Sequence, residues 1–444
     1  MKTIFKIILK LALACLVIVL LFNYLSHVFF NREVNHGDQF RALKEDSLDV
    51  LVLGSSHAQY SFSPALYYEK TGLYSYVLGS PCQPLKVSLE FLKECYKTQS
   101  PKLVILEVFT ALDLSETCAG NVSCVVPQYQ MTGQERIDVI NMLPEDIRED
   151  YYNDFISAHN DWKTMENLDA FKFSNAFNTE HKIDESFGYV YQQAPIPTDS
   201  YWLAVDYPGV EAKGLKEDVK ETLNEIYDLA KSHGSTLYLY KTPIDSFKEY
   251  DQAQLNDVWK WAKEKDIAYR DFFDLDDFYM YIHSDSFHCY VNGAAYLTSE
   301  LAKTTKDITS YNHHEDNALS ALYTKRAQAI VREVIKSEAD PYKVMPYIFN
   351  SKGDYDLYIP ENIYNQDFLK YLEDELDTTL DYGSWYHYEN GKLISKEPRA
   401  KSLEKYDEEC VSFIYYFGED TFPYMIEDGS TVWKRHYHHY SPYW

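Results

Sequence analysis

At 444 residues with 45% hydrophobic side chains, the chain suits two domains plus an anchor and is apolar enough to bury a sizeable core. Its 69 acidic against 42 basic residues leave a formal net charge of −27, which excludes nucleic acid as a partner, because binding to phosphates needs a cationic surface. The 41 tyrosines and 7 tryptophans leave two readings open: aromatic faces for sugar rings in a carbohydrate-rich setting, or Tyr-rich packing alone.

At the amino end, Lys2, Lys6 and Lys10 precede residues 11–30, which carry no formal charge. At 1.5 Å per residue that run reaches about 30 Å, one hydrocarbon thickness. It predicts a single-pass membrane helix, with residues 1–30 as cytoplasmic stub and anchor. The lysines predict a cytoplasmic amino terminus and an extracytoplasmic remainder from about Asn31. A cleaved signal peptide is the rival, since Ala12 and Ala14 form an A-x-A pair, although the apolar run continues past them. Cys15 lacks a convincing lipobox, with Ala12 where a large aliphatic residue is usual.

The next stretch, DVLVLGSSHAQYSF at 49–62, organises everything after it. A nearly continuous Val/Leu run suits a strand covered on both faces, as in a parallel sheet, where ligands gather beyond the carboxyl ends. Gly54 ends it in a tight turn, and Ser56 stands at that mouth. Either Ser56 is a nucleophile or Ser55 and Ser56 merely cap the following helix, for serine is a favoured N-cap. Further strands are expected at 73–78, 103–108, 236–240 and 267–270, with 49–53 as the first. Helical patterns at 87–96, 217–233 and 252–265 alternate with them, the second ending before Gly234. That alternation predicts an α/β fold, a doubly wound five-stranded parallel sheet. The gap between the third and fourth strands is far longer than one crossover needs. It reads as an insertion at about 110–200, with helical patterns at 134–143 and 145–156, forming a lid or acceptor surface. TPIDS at 242–246 falls on the loop after the fourth strand, at the same mouth.

SDSFHCYVNGAAYLTSELA at 284–302 places Asp285 three residues before His288. A serine is a weak nucleophile until a base takes its proton, and the base needs a third group to hold its tautomer. Ser56, His288 and Asp285 supply those three roles. On these two blocks the sequence resembles the SGNH (GDSL-like) hydrolase superfamily, whose first block carries the serine in a GDS-type turn and whose last is Asp-x-x-His near the end of the domain. GSSH at 54–57 matches the variant of membrane-anchored members, in particular the group that includes teichoic-acid D-alanylation and exopolysaccharide O-acetylation proteins. The resemblance covers roughly 45–305. It implies that Gly79, in YSYVLGSPCQP, is the second-block glycine, its amide joining that of Ser56 in an oxyanion hole. The family's third block supplies an asparagine from Gly-x-Asn-Asp, but LVILEVFTALD at 103–113 has none. Glu107 and Thr110 are the polar candidates there, and a carboxylate is a poor oxyanion donor.

Six cysteines lie beyond the anchor, Cys82, Cys95, Cys118, Cys124, Cys289 and Cys410, without a C-x-x-C pair. Cys118 with Cys124, or Cys82 with Cys289 across the site, are candidate bridges; buried thiols are the alternative. Asn121 opens an N-V-S sequon of little weight. His57 either lines the pocket or faces the following helix. The clusters His313-His314-Glu315-Asp316 and His436 to His439 lack the i, i+4 pairing of a helical zinc site and read as solvated polar residues, so no metal and no cofactor are expected.

A helix at 317–339 is expected to lead out of a domain spanning 31–310, with Asp340–Pro341 as its stop. Beyond it, strands at 354–359, 384–388, 392–396 and 410–417, a hairpin turn at Glu389-Asn390-Gly391 and one helix at 361–380 predict a small α+β appendage, so that 311–444 forms a second, aromatic-rich unit. That unit either binds glycan or packs on the first domain or a partner. The whole reads as a membrane-anchored, extracytoplasmic serine O-acyltransferase or O-acyl esterase of a cell-envelope polysaccharide, its partners an acylated glycan and a membrane-bound acyltransferase. The alternative is a non-catalytic SGNH-fold scaffold that binds glycan or that acyltransferase, which the missing asparagine favours.

Overall fold

The computed structural model describes residues 2–29, 43–112, 133–152, 186–191, 210–243, 249–274, 288–305 and 317–337, with positions 40 and 131 and the strands and scattered residues between 355 and 433. The first helix, α1 (Lys2–Phe29), is 28 residues long, about 42 Å at 1.5 Å per residue. From Ile4 to Phe22 it is long and apolar enough to cross a membrane, with none of that window buried against the rest of the chain. A helix apolar all round has no soluble face to offer water.

The strands β1 (Val50–Gly54), β2 (Ser75–Gly79), β3 (Leu103–Glu107), β4 (Thr236–Lys241) and β5 (Ala268–Asp271) form one sheet in the order β2-β1-β3-β4-β5. Every neighbouring pair is parallel. Each strand falls within two residues of its expected bounds, because an uninterrupted apolar run is what a strand buried on both faces requires. Alternation then sends successive side chains to opposite faces. Leu51, Leu53, Val104, Leu106, Leu237 and Leu239 join one core. It is covered by α4 (Leu85–Cys95), α7 (Glu217–Ser232) and α8 (Glu249–Glu264). Val50, Val52, Leu103, Ile105, Tyr238 and Tyr240 join the other, beneath the short helix α2 (Ser56–Ser61) and α9 (Val291–Thr305).

Between α2 and β2 runs α3 (Pro64–Thr71), which starts at Ser63 as N-cap with Pro64 in its first turn and ends at Gly72 in the left-handed conformation. Of the insertion, the described parts are α5 (Gly133–Asn141), α6 (Glu145–Tyr151) and residues 186–191. These are not all surface: Val139 and Ile140 of α5, with Phe187 and Tyr189, are buried in the first core. Residues 186–191 lie along the outer edge of β2, where the Val77 N–H donates to the Phe187 carbonyl at 2.9 Å. α10 (Ala318–Ser337) buries Tyr323, Ala327, Ile330 and Val334 at helical spacing in the same core. Tyr323 stacks on Phe187, their centroids 3.7 Å apart, and on Tyr74 at 5.0 Å. Tyr67, Tyr68, Tyr76, Tyr240, Tyr323 and Tyr386 are among the largest fully buried side chains, so a share of the tyrosines serves packing.

A second sheet has the order β11-β10-β9-β6-β7-β8. It comprises β6 (Tyr355–Ile359), β7 (Ser384–Glu389), β8 (Lys392–Glu397), β9 (Phe413–Gly418), β10 (Thr421–Glu427) and β11 (Thr431–Trp433). β6 and β9 pair in parallel, the other neighbours antiparallel. The last two strands were not expected from sequence. Pro423 argues against a strand, and the register of β10 against β9 shifts between Thr421 and Tyr424 to accommodate it. The expected 361–380 helix and the turn residues Asn390 and Gly391 lie largely or wholly outside the described residues.

Candidate functional site

The chain leaves β1 between β2 and β3, the place where strand order reverses and where open α/β sheets hold their ligands. Gly54 makes the exit. Its φ is +157°, and a Cβ there would stand 2.6 Å from Glu107 Cβ and 2.8 Å from Ala58 Cβ, so the turn closes only on glycine. The two serines that follow divide the roles that sequence alone could not assign. Ser55 is the N-cap of α2, its Oγ accepting from the His57 N–H at 3.2 Å. Ser56 is thereby released from capping. It is the first residue of the helix, only 7% exposed, and its Oγ stands 2.8 Å from His288 Nε2.

His288 comes from the far end of the fold. The residues after it, Cys289 and Tyr290, are buried, and α9 begins at Val291, so the imidazole is presented from a packed helix start. Its ring lies 4.4 Å from that of Tyr60 and 5.6 Å from that of His57. His57 in turn stacks on Phe109 at 4.4 Å, and so lines the site as one of the two sequence alternatives held. Tyr60 and Phe109 belong to no motif. The only signal for Tyr60 was its place one helical turn beyond Ser56. Asp285 lies outside the described residues.

Gly79 sits opposite Gly54 in the β1–β2 register. A Cβ on it would meet Gln59 Cγ at 2.9 Å and the carbonyl oxygens of Gly54 and Ser55 at 3.1 Å each. The end of β2 therefore packs directly on the turn that carries Ser56. Glu107 and Thr110 do not take the place of the missing asparagine. Thr110 Oγ1 donates to the Gln83 carbonyl at 2.9 Å, within a network that includes Ser88. The Glu107 carboxyl is fully buried beneath Ser55, accepting from Ser55 Oγ at 3.0 Å and from the Phe109 N–H at 2.9 Å. Burial holds its pKa far above the carboxylate range, at about 8, although these hydrogen bonds pull the other way.

Cys82 and Cys289 are thiols in the structure rather than a bridge across the site; Cys118, Cys124 and Cys410 lie outside the described residues. Among the described residues no cluster of three or more His, Cys, Asp or Glu is placed to hold a metal ion, and the two histidine clusters at 313–316 and 436–439 lie outside them.

No family model matches this chain, and no curated protein does. Among solved structures it is similar to a Bacteroides fragilis protein described as a "putative acylhydrolase", with a TM-score of 0.30 and 11% identity, covering 61% of this chain and 95% of the other. At that distance the likeness carries no argument about chemistry.

Proposed function

We propose that the protein is a membrane-anchored, extracytoplasmic serine O-acyltransferase or O-acyl esterase acting on a cell-envelope polysaccharide. The observation that carries this is the 2.8 Å contact between Ser56 Oγ and His288 Nε2, within the reach that a nucleophile and its base require. Ser56 Oγ attacks the acyl carbonyl as its proton passes to Nε2. This needs Nε2 unprotonated and the ring proton on Nδ1, where Asp285 would hold it. The Ser56 and Gly79 amides steady the oxyanion, a role worth a few kcal/mol of barrier. Collapse of the adduct breaks the bond to the leaving alkoxide, which takes the proton from His288. The acyl-enzyme then passes its acyl group to water or to a sugar hydroxyl, and Ser56 recovers its proton.

A cleft of about 690 Å³ beside β5 and α8, lined among others by Asn256, Trp259, Tyr269 and Asp271, lies on the sheet face away from α2 and does not bear on the acceptor. The second reading, a non-catalytic scaffold that presents glycan or a membrane acyltransferase, is favoured by the absence of an asparagine after β3. Incubating the protein with a small activated acetyl ester, trapping it and weighing it by mass spectrometry separates the two. An acetyl group on Ser56, lost in Ser56→Ala together with turnover, is the expected result. The absence of both adduct and turnover in the wild-type protein would leave the scaffold reading standing. Adding an oligosaccharide acceptor then distinguishes transfer, in which product forms at the expense of free acetate, from plain deacylation.

A further inference from the structure

We propose that Glu107 is a positioning residue for Ser56: its carboxyl fixes Ser55, and through Ser55 the first turn of α2, so that the Ser56 hydroxyl is held on His288. This rests on the reading of Ser56 as nucleophile. Glu107 is the last residue of β3, and β3 is the sheet neighbour of β1, so its side chain reaches across the point where the two strands part. Its two carboxyl oxygens serve different segments. Oε2 accepts from Ser55 Oγ at 3.0 Å, and Oε1 accepts from the Phe109 N–H at 2.9 Å. Because the Ser55 hydroxyl is spent on Glu107, its oxygen lone pair is aimed at the His57 N–H, 3.2 Å away. The Ser55 backbone also hydrogen-bonds Glu107. The same carboxyl thus pins the residue before the nucleophile and, through Phe109, the ring on which His57 stacks. With no side chain at Gly54, nothing separates the turn from Glu107.

An acid in an apolar site with three hydrogen bonds is more than filler, because its proton decides the direction of one of them. Ionised, Glu107 only accepts, and Ser55 donates to it. Protonated, it has an O–H of its own to give to Ser55 Oγ, and the Ser55 proton must turn elsewhere. The groups coupled electrostatically to Glu107 are Tyr240 of β4 and Tyr269 of β5, both pushed well above the ordinary tyrosine range by burial; His57 and His288 stand beyond Ser55 and Ser56 at the mouth. Both tyrosines keep their protons across that range, so a change in Ser56 reactivity close to pH 8 that is lost in Glu107→Gln belongs to the carboxyl.

The test uses the full chain in detergent and a fluorophosphonate, which forms an Oγ–P bond on an activated serine as fluoride leaves and the hydroxyl proton passes to the base. Labelling rates are read by mass across neutral and alkaline pH, with melting temperatures alongside, for wild type, Glu107→Ala, Glu107→Gln and Ser55→Ala. Wild type should show a step near pH 8. Glu107→Ala and Ser55→Ala should label about 100-fold more slowly, the cost of an ångström-scale misplacement. Glu107→Gln, which keeps one acceptor, should recover part of that rate but lack the step. A carboxyl that merely stabilises the fold would lower the melting temperature and leave the rate and pH profile of the folded protein at wild-type values, overturning the proposal. If Glu107→Ala does not fold, Glu107→Gln and Ser55→Ala decide alone. If wild type is not labelled on Ser56 at all, the nucleophile reading itself falls; labelled wild type with unaltered variants sinks only the role of Glu107.

Discussion

A serine hydroxyl 2.8 Å from an imidazole nitrogen is reactive only through that nitrogen's ability to take its proton. Replacing His288 with alanine should therefore slow labelling of Ser56 by roughly 100- to 10,000-fold, the usual worth of a positioned base, while the melting temperature moves little, since the ring is half-buried at the mouth. A rate near wild type would remove His288 from the chemistry. Glu107 makes a separate, thermodynamic prediction. Its pKa rises from 4.5 unfolded to about 8 folded, so between those values the folded state keeps a proton that the unfolded chain has lost. Stability must then fall as pH climbs through that window and level off above it, by up to about 1.4 kcal/mol for each pH unit, with the penalty absent below pH 4.5. Urea midpoints measured against pH should show a shallower slope for Glu107→Gln than for wild type. Equal slopes would mean the carboxyl is not so deeply desolvated. Ser56 and His288 could be singled out in the sequence because each stands in a motif. The task of Glu107 could not, since strand alternation placed it with Leu103 and Ile105 without saying which helix would cover that face.

At the scale of elements, the central strands and the longer helices were legible because period and apolarity reflect burial directly. α3 was missed although Ser63, Pro64 and Gly72 mark its ends. Its residues Pro64, Ala65, Leu66, Tyr67, Tyr68 and Thr71 are all buried, so it shows no amphipathic stripe for a periodicity argument to find. The strip at 186–191 was equally invisible, because what defines it is a contact with a remote strand. It occupies the open edge of β2 and also receives α2, the Val190 N–H donating to the Gln59 carbonyl at 2.9 Å. Exposed edges of this kind are usually covered. Gly188 makes the approach possible: at φ +82°, a Cβ would fall 2.0 Å from the Val77 carbonyl oxygen. Gly188→Ala should lower stability in urea by about 1–3 kcal/mol, through strain and loss of that edge contact. An unchanged midpoint would show that the strip is not needed there. Truncating the insertion to probe a lid should accordingly spare 186–191 and α5, whose Val139 and Ile140 belong to the core.

For the whole molecule, the proposed topology puts the amino terminus inside and everything past about Asn31 outside, because Lys2, Lys6 and Lys10 crowd the start of α1 whereas Arg32 alone follows closely on its end. Protease added to intact cells should degrade the part beyond Asn31 and spare a tag at the amino terminus. Protection of the large sheet domain would reverse the orientation. The exposed apolar surface of α1 from Ile4 to Phe22 also predicts that the full chain needs detergent, whereas a chain starting after the helix should stay dispersed without it, which sedimentation can check.

By itself, the sequence determined the α/β class, the positions of the main strands along the chain and the apolar amino-terminal helix, and it singled out a GSSH turn and a late histidine as candidates for one site. These follow from composition and short-range spacing, which act through local backbone geometry and burial. Only the tertiary structure decided that Ser55 caps while Ser56 turns to His288, that Glu107 supports the turn rather than replacing an oxyanion donor, and that Tyr60 and Phe109 wall the site. Each of these depends on contacts between residues up to 232 positions apart. The register of parallel strands brings such residues together, and register is settled by how both faces of the sheet are covered, which no single stretch of chain specifies.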